Sequence, residues 1–219
     1  MEQGKRMLIF DLDGTLTASN DLWVEVDREF LARRGLRSTR EYETAVARSI
    51  FPIAAAYTRE YYGLSDAPEA IMAEWEELAG AHYRHHVPMK PGAAEFLRQC
   101  REKGENMSLF TACRPALCQA VMERFGLAQY FTHLVYAEEI GLEKHDPACF
   151  LRLSALIGAK PEDCVLFDDS PNNCATALAA GMTAVGVYDG YYAARQEELK
   201  GACTRYIRSF EELLEGERL

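Results

Sequence analysis

Apolar positions follow two regimes along this chain, and the border lies near residue 90. Met7-Leu8-Ile9-Phe10 is an unbroken apolar run, the pattern of a strand buried on both faces of a sheet. From about Asp21 to His86 the spacing turns helical and no strand signal is seen. Val24, Val26, Phe30 and Leu31 recur on one face until Gly35 closes the segment, and Ala73 to His86 predicts a second long helix. Pro88 and Pro91-Gly92 then punctuate the chain.

Beyond that border, helical and strand patterns alternate with short connections. Helices are predicted over Ala93 to Arg101 with a stop near Gly104, Pro115 to Phe125 before Gly126, Pro147 to Ile157 before Gly158, and Asn172 to Ala180 before Gly181. Strands are predicted at Met107 to Phe110, Leu134 to Tyr136, Cys164 to Phe167 and Thr183 to Val187. Ser209 and Glu212 form a capping-box pattern that starts a last helix over Leu213 and Leu214. Repeated βα units make a parallel sheet with right-handed crossovers. The fold expected is α/β, a Rossmann-like parallel sheet flanked by helices, with an inserted α-helical cap. Residues 1–17 and 89–219 form its core, and residues 18–88 form a cap over the carboxyl edge of the sheet.

Composition narrows the function classes. With 219 residues and 48% hydrophobic content, the chain can bury a full core. A formal charge of -10 argues against nucleic-acid and anionic-membrane surfaces, and leaves room for a phosphorylated small molecule where a cation reverses the field locally. Seven cysteines, with no C-x-x-C spacing, fit reduced thiols in a cytoplasmic protein. No leader pattern and no apolar stretch of membrane-spanning length is seen. Oligomeric state is open.

The first strand runs straight into Asp11-Leu12-Asp13-Gly14-Thr15. In an open parallel sheet, ligands bind at the carboxyl ends of strands, so Asp11 and Asp13 are expected to face a reaction site. A calcium loop would need glycine at its sixth position and glutamate at its twelfth. Counted from Asp11, glycine comes fourth and the twelfth residue is Leu22.

Three later strand ends carry residues suited to phosphoryl transfer. Thr111-Ala112-Cys113 offers a hydroxyl and backbone N–H groups for phosphate oxygens. Lys144 can neutralise a phosphoryl group. Asp168-Asp169 precede Ser170, a candidate N-cap, and Pro171 at the first helical position. Four carboxylates at one sheet edge repel by roughly 1 to 4 kcal/mol per close pair, which calls for a cation. Oxygen-only ligands at a phosphate site favour Mg²⁺.

Taken in order, these motifs resemble those of the haloacid dehalogenase superfamily. Asp11 to Thr15 is similar to its first motif, Thr111 to its second, Lys144 to its third and Asp168-Asp169 to its fourth. The helical insertion resembles the cap of the phosphoglycolate phosphatase and β-phosphoglucomutase branch. The resemblance implies a Mg²⁺-dependent phosphatase acting on a small phosphomonoester through an aspartyl-phosphate. It makes Asp11 the nucleophile and Asp13 the general acid and base, with the metal on Asp11, the Asp13 carbonyl and Asp169. Asp168 and Asn173 stand nearby, and Thr111, the Ala112 N–H and Lys144 hold phosphoryl oxygens.

This chain departs from the family pattern at His145, where proline usually follows the lysine, and at Asn172 and Asn173, where an acid is common. Asp13 argues against carbon–halogen chemistry, because the dehalogenases lack that second aspartate. Trp23 stands where the mutase branch places a histidine, which favours hydrolysis over a phosphomutase. A non-catalytic phosphate-binding regulator is the reading outside enzymology, weakened by the intact Asp11 and Asp13.

Other signals read as structural. His82, His85 and His86 suit a solvated helix end. Tyr57, Tyr61 and Tyr62 suit a cap core, with Tyr57 or Arg59 the side chains that would reach from the cap toward substrate. Tyr191-Tyr192 suits packing rather than recognition. Cys113 would need a histidine partner to act as a nucleophile.

Overall fold

Strands without a polar face belong in the middle of a sheet, and β1 (Met7–Phe10), buried along its whole length, sits there. A computed structural model describes residues 6–46 and 49–214. Its single sheet is parallel throughout. The strands run β3-β2-β1-β4-β5-β6, with β2 Asn106–Thr111, β3 His133–Tyr136, β4 Cys164–Asp168, β5 Thr183–Val187 and β6 Arg205–Ile207. Because β1 has β2 on one side and β4 on the other, the strand order reverses at β1, and a crevice opens at its carboxyl end. The Asp11 N–H continues the ladder past the strand by donating to the Phe167 carbonyl at 3.0 Å.

Aromatic packing fixes that centre. Phe10 and Phe167, on neighbouring strands, stack with centroids 4.6 Å apart, and Phe96 and Phe210 close around both.

Four helices occupy the interval between β1 and the second part of the chain: α1 Asn20–Ala32, α2 Arg40–Val46, α3 Phe51–Tyr62 and α4 Pro68–His85. Six more accompany the strands: α5 Ala93–Glu102, α6 Pro115–Phe125, α7 Ala137–Ile140, α8 Pro147–Leu156, α9 Pro171–Ala179 and α10 Gln196–Gly201. The chain leaves and re-enters the sheet region through paired linkers. Ala18 N donates to Pro88 O at 3.0 Å and Lys90 N to Leu16 O at 2.8 Å, so residues 16–18 and 88–90 run as a two-stranded neck.

The helical block has an aromatic interior. Tyr57, Tyr61 and Tyr62 surround buried Tyr42, with Tyr62 5.0 Å away, as packing residues would. His82, His85 and His86 are exposed at the end of α4. Among the described residues no helix is long and apolar enough to cross a membrane.

The structure corrects four expectations. Helix α4 starts at Pro68 rather than Ala73, because Pro68 occupies the first turn, where its missing N–H costs nothing. Strand β6 has no sequence signal, being three residues long and only partly buried. Ser209 and Glu212 do form a capping box, yet it starts a single 3₁₀ turn, Phe210–Leu213, that excludes Leu214. Ser170 holds the N-cap position of α9, but its hydroxyl makes no capping bond.

Candidate active site

The predicted site residues come from strand ends at one edge, from the loops that follow and, for Asn173, from the first turn of α9, and the geometry follows from that. Asp11, Asp13, Thr111, Ala112, Lys144, Asp169 and Asn173 all line one cavity of about 230 Å³ between the sheet edge and the helical block. Asp168, the last residue of β4, lies fully buried behind it. Residues as distant in the chain as Asp11 and Asn173 therefore meet at one cavity.

Lys144 is the centre of the charge arrangement. It is 6% exposed, and its Nζ donates to Asp11 Oδ1 at 2.5 Å, to the Phe110 carbonyl at 3.0 Å and to Asp168 Oδ2 at 3.4 Å. Burial disfavours its ammonium, but Asp11 and Asp168 more than compensate and hold it protonated. Burial pushes the Asp11 carboxyl up; Lys144 pulls against this, while the charges of Asp168 and Asp13 add to it. Asp169 is driven well above the ordinary carboxylate range by burial and by the charges of Asp168, Asp11 and Asp189.

Asp168 holds the floor of the site. Its carboxylate accepts from the Ser170 N–H at 2.9 Å and from Asn173 Nδ2 at 3.0 and 3.2 Å. Asn173 is thus a brace on Asp168, and Asn172 is engaged elsewhere, accepting from Arg195 at 2.9 Å. Thr111 is fully buried, and its Oγ1 accepts from the Cys113 N–H at 2.9 Å, which shapes the turn carrying Ala112 to the cavity wall. Cys113 lines the cavity too; burial and Asp13 push its thiol well above the ordinary range, so it is a poor nucleophile.

Gly14 lets the first loop approach this closely. Its φ is +84°, and a Cβ there would collide with Asn20 Nδ2 and the Asp169 carboxylate.

Several contributing residues escaped the sequence reading. Tyr83 of α4 donates to Asp13 Oδ1 at 2.5 Å, Ser19 donates to the same oxygen at 2.6 Å, and Trp23 Nε1 donates to Tyr83 Oη at 2.9 Å. Asn20 Nδ2 bridges Asp169 Oδ2 at 2.7 Å and Asp189 Oδ1 at 3.2 Å. Asp189 also pairs with buried Lys90. A signal for Asp189 existed, since it follows β5 at the same edge as the other acids. Ser19, Asn20 and Tyr83 had none, because a residue of the helical block reaches the sheet only through the folded neck. Tyr191 and Tyr192 line the cavity rather than merely packing, whereas Tyr57 and Arg59 do not line it.

Comparison with known proteins agrees with this geometry. The chain is 29% identical over 193 residues to phosphoglycolate phosphatase 1 of Pseudomonas aeruginosa, covering 85% of this chain and 70% of that one. It is 28% identical over 185 residues to hexitol phosphatase B of Escherichia coli, covering 82% of each. The crystal structure of CbbY from Rhodobacter sphaeroides in complex with phosphate superposes with a TM-score of 0.81, at 21% identity, over 95% of this chain and 96% of that one, and so shares the fold. The model of haloacid dehalogenase-like hydrolases matches residues 5–181, and with the four strand-end motifs gathered in one cavity, the chain belongs to that family.

Proposed function

We propose that this protein is a cytosolic phosphatase of small phosphomonoesters that works through an aspartyl-phosphate on Asp11, with residues 18–88 acting as its cap. The observation that carries the reading is the buried contact between Lys144 and Asp11 in a cavity also lined by Asp13, Thr111 and Asp169. Relatives named as phosphoglycolate and hexitol phosphatases support the reaction class. Seven cysteines, all unpaired, support the cytosolic setting.

The donor set fits a magnesium ion. At the sheet edge the carboxyl groups of Asp11, Asp13 and Asp169 line the cavity together, and burial, with the negative charge of neighbouring carboxylates, drives Asp11 and Asp169 up. Asp11, the Asp13 carbonyl and Asp169 would hold the ion. When bound, it supplies charge compensation for the phosphoryl group.

The chain's own groups account for the bond changes. An Asp11 oxygen forms a bond to phosphorus as the bond from phosphorus to the ester oxygen breaks, and Asp13 gives its proton to the departing alkoxide. Water then attacks phosphorus, Asp13 takes a proton from it, and the Asp11–phosphorus bond breaks to release phosphate. Burial raises Asp13, which favours the proton it must first donate, while hydrogen bonds from Ser19, Tyr83 and Cys113 favour the carboxylate it must become. Lys144 keeps Asp11 oriented, and the Thr111 turn with the Ala112 N–H receives the phosphoryl oxygens. Trp23, whose indole N–H is committed to Tyr83, offers no imidazole for a mutase step.

The test is phosphate release from a set of phosphomonoesters with Mg²⁺, with chelator, and with Asp11→Asn. Release by the wild type that chelation stops and Mg²⁺ restores, and that Asp11→Asn lacks while still folded, is expected. Retained turnover in Asp11→Asn would remove the covalent mechanism.

A further inference from the structure

Asp169 follows β4 directly, is 3% exposed, and accepts one hydrogen bond on each of its carboxylate oxygens. Thr15 Oγ1 donates to Oδ1 at 3.2 Å, and Asn20 Nδ2 donates to Oδ2 at 2.7 Å. An ionised carboxylate offers about four lone-pair positions, two on each oxygen. The two bonds therefore leave a position on each oxygen for a further partner. Both donors are neutral, so they orient the group without cancelling its charge. A ligand of a divalent cation needs that combination, a fixed direction with the charge intact.

Asn20 is the first residue of α1, so this donor comes from the helical block and not from the sheet. It is held from its other side. The same amide nitrogen donates to Asp189 Oδ1 at 3.2 Å, and that oxygen also accepts from the Tyr191 N–H at 2.9 Å. Asp189 Oδ2 accepts from Lys90, whose Nζ is anchored in turn on the Tyr188 carbonyl at 3.0 Å. Two acceptors facing one amide nitrogen demand its two hydrogens, which fixes the end of the Asn20 amide that points inward. Lys90 takes up the charge of Asp189 in a buried ion pair, whereas Thr15 and Asn20 leave that of Asp169 in place. Gly14 encloses the contact, since a Cβ there would collide with both Asn20 Nδ2 and the Asp169 carboxylate.

We propose that Asn20 is a positioning residue of the metal site: braced by Asp189, its amide holds the Asp169 carboxylate in the orientation that receives Mg²⁺, and so sets the affinity of the protein for the ion. The proposal rests on the phosphatase reading, in which Asp169 is a metal ligand, and adds to that site a residue of the helical block. Asn20 acts through Asp169 and not on the phosphoryl group. Partners that orient a metal ligand from behind change metal affinity by about 10- to 100-fold when they are removed. The route from Lys90 through Asp189 and Asn20 to Asp169 makes Mg²⁺ binding depend on the two-stranded neck as well as on the sheet edge.

Calorimetric titration of the metal-stripped protein with Mg²⁺, in the absence of any ester, reads that affinity directly. Asn20→Ala and Asn20→Ser both lack the reach of the amide and are expected to weaken Mg²⁺ binding about tenfold, with the circular dichroism spectrum unchanged. Asp169→Asn is the reference and should weaken it at least as much. Lys90→Met combined with Asp189→Leu removes the brace without altering the net charge, and is expected to weaken binding by a smaller factor. In turnover of p-nitrophenyl phosphate, the Mg²⁺ concentration that gives half the maximal rate should rise about tenfold in Asn20→Ala, with a smaller fall in kcat at saturating Mg²⁺. A residue that merely starts α1 would lower the Tm and leave the Mg²⁺ affinity as it is. If either Asn20 variant fails to fold, the other and the brace variant decide. Unchanged affinity in the Asn20 variants, with Asp169→Asn weakened, overturns the proposal and leaves the phosphatase reading standing. A wild type that does not bind Mg²⁺, or Asp169→Asn that binds it as tightly as the wild type, removes the metal ligand itself and the proposal with it.

Discussion

Tyr83 on α4, the last helix of the helical block, donates to Asp13 at the sheet edge at 2.5 Å, joining residues 70 positions apart in the chain. The bond stabilises the Asp13 carboxylate, and Trp23 supports it by donating to the same phenol oxygen. It makes the proton affinity of the proposed general acid depend on where the helical block sits. Tyr83→Phe removes the donor and leaves the Trp23 N–H without its acceptor. We expect kcat to fall roughly 5- to 30-fold, the equivalent of about 1–2 kcal/mol. The limb of the pH–rate profile set by Asp13 should move to higher pH, because a donor that favoured the charged form is gone. A loss of kcat without movement of that limb would make Tyr83 a packing residue only.

Gly14 offers a test of how closely the first loop must approach the fourth motif. Gly14→Ala places a methyl group where Asn20 Nδ2 and the Asp169 carboxylate now lie, at a φ of +84°. The backbone alone costs about 1–2 kcal/mol. The larger effect is displacement of Asp169, so phosphate release should drop by about a hundredfold. Thermal unfolding and phosphate release together check this; normal activity with a lowered Tm would mean the loop had moved without disturbing Asp169.

What the sequence revealed and what it hid follow from the range of the interactions. Strand and helix order was legible because β1, β4 and β5 are apolar runs and because Gly126, Gly158 and Gly181, all left-handed, follow the ends of α6, α8 and α9, whereas α3 and α7 were not predicted. Asp11, Thr111 and Asp169 were legible because parallel strand ends share one edge, and Lys144, in the turn between α7 and α8, because the motifs come in the order of the family it resembles. Nothing local announces that Tyr83 bonds Asp13, that Asn20 bridges Asp169 and Asp189, or that Asp27 and Glu43 share a wall with Tyr191. Each depends on how a helical block is set on its neck, a tertiary relation with no periodicity to read. Strand β6 was missed for the opposite reason, since three half-covered residues are too short to show a period.

Lys90 and Asp189 form a buried ion pair beside the site, with side chains 11% and 8% exposed. Lys90 Nζ also donates to the Tyr188 carbonyl at 3.0 Å, so the two-stranded neck is tied to the segment that carries Tyr191. Lys90→Met strands the Asp189 charge next to Asp169 and should cost about 3–5 kcal/mol in urea unfolding. Asp189→Asn should cost less, because asparagine still accepts from the Tyr191 N–H and removes a charge that raises Asp169. A combined Lys90→Met and Asp189→Leu protein should regain part of the loss. Equal costs for the two single variants would mean that the attraction itself, and not the stranded charge, dominates.

Asp27 fixes the sign of a pH effect on stability. Burial pushes its carboxyl from 3.8 to about 7, with the Tyr42 hydrogen bond opposing and Glu43 adding to the rise. The folded state therefore favours the neutral form: the stability Asp27 contributes is fully present below about pH 4 and is lost as pH climbs through about 7. Asp27→Asn stays neutral throughout and keeps an acceptor for Tyr42. Scanning calorimetry without ligand should show near-equal Tm values around pH 4.5 and a gain of a few degrees for the variant around pH 7.5. A constant difference across that range would mean that Asp27 ionises in the folded protein as it does in the unfolded one.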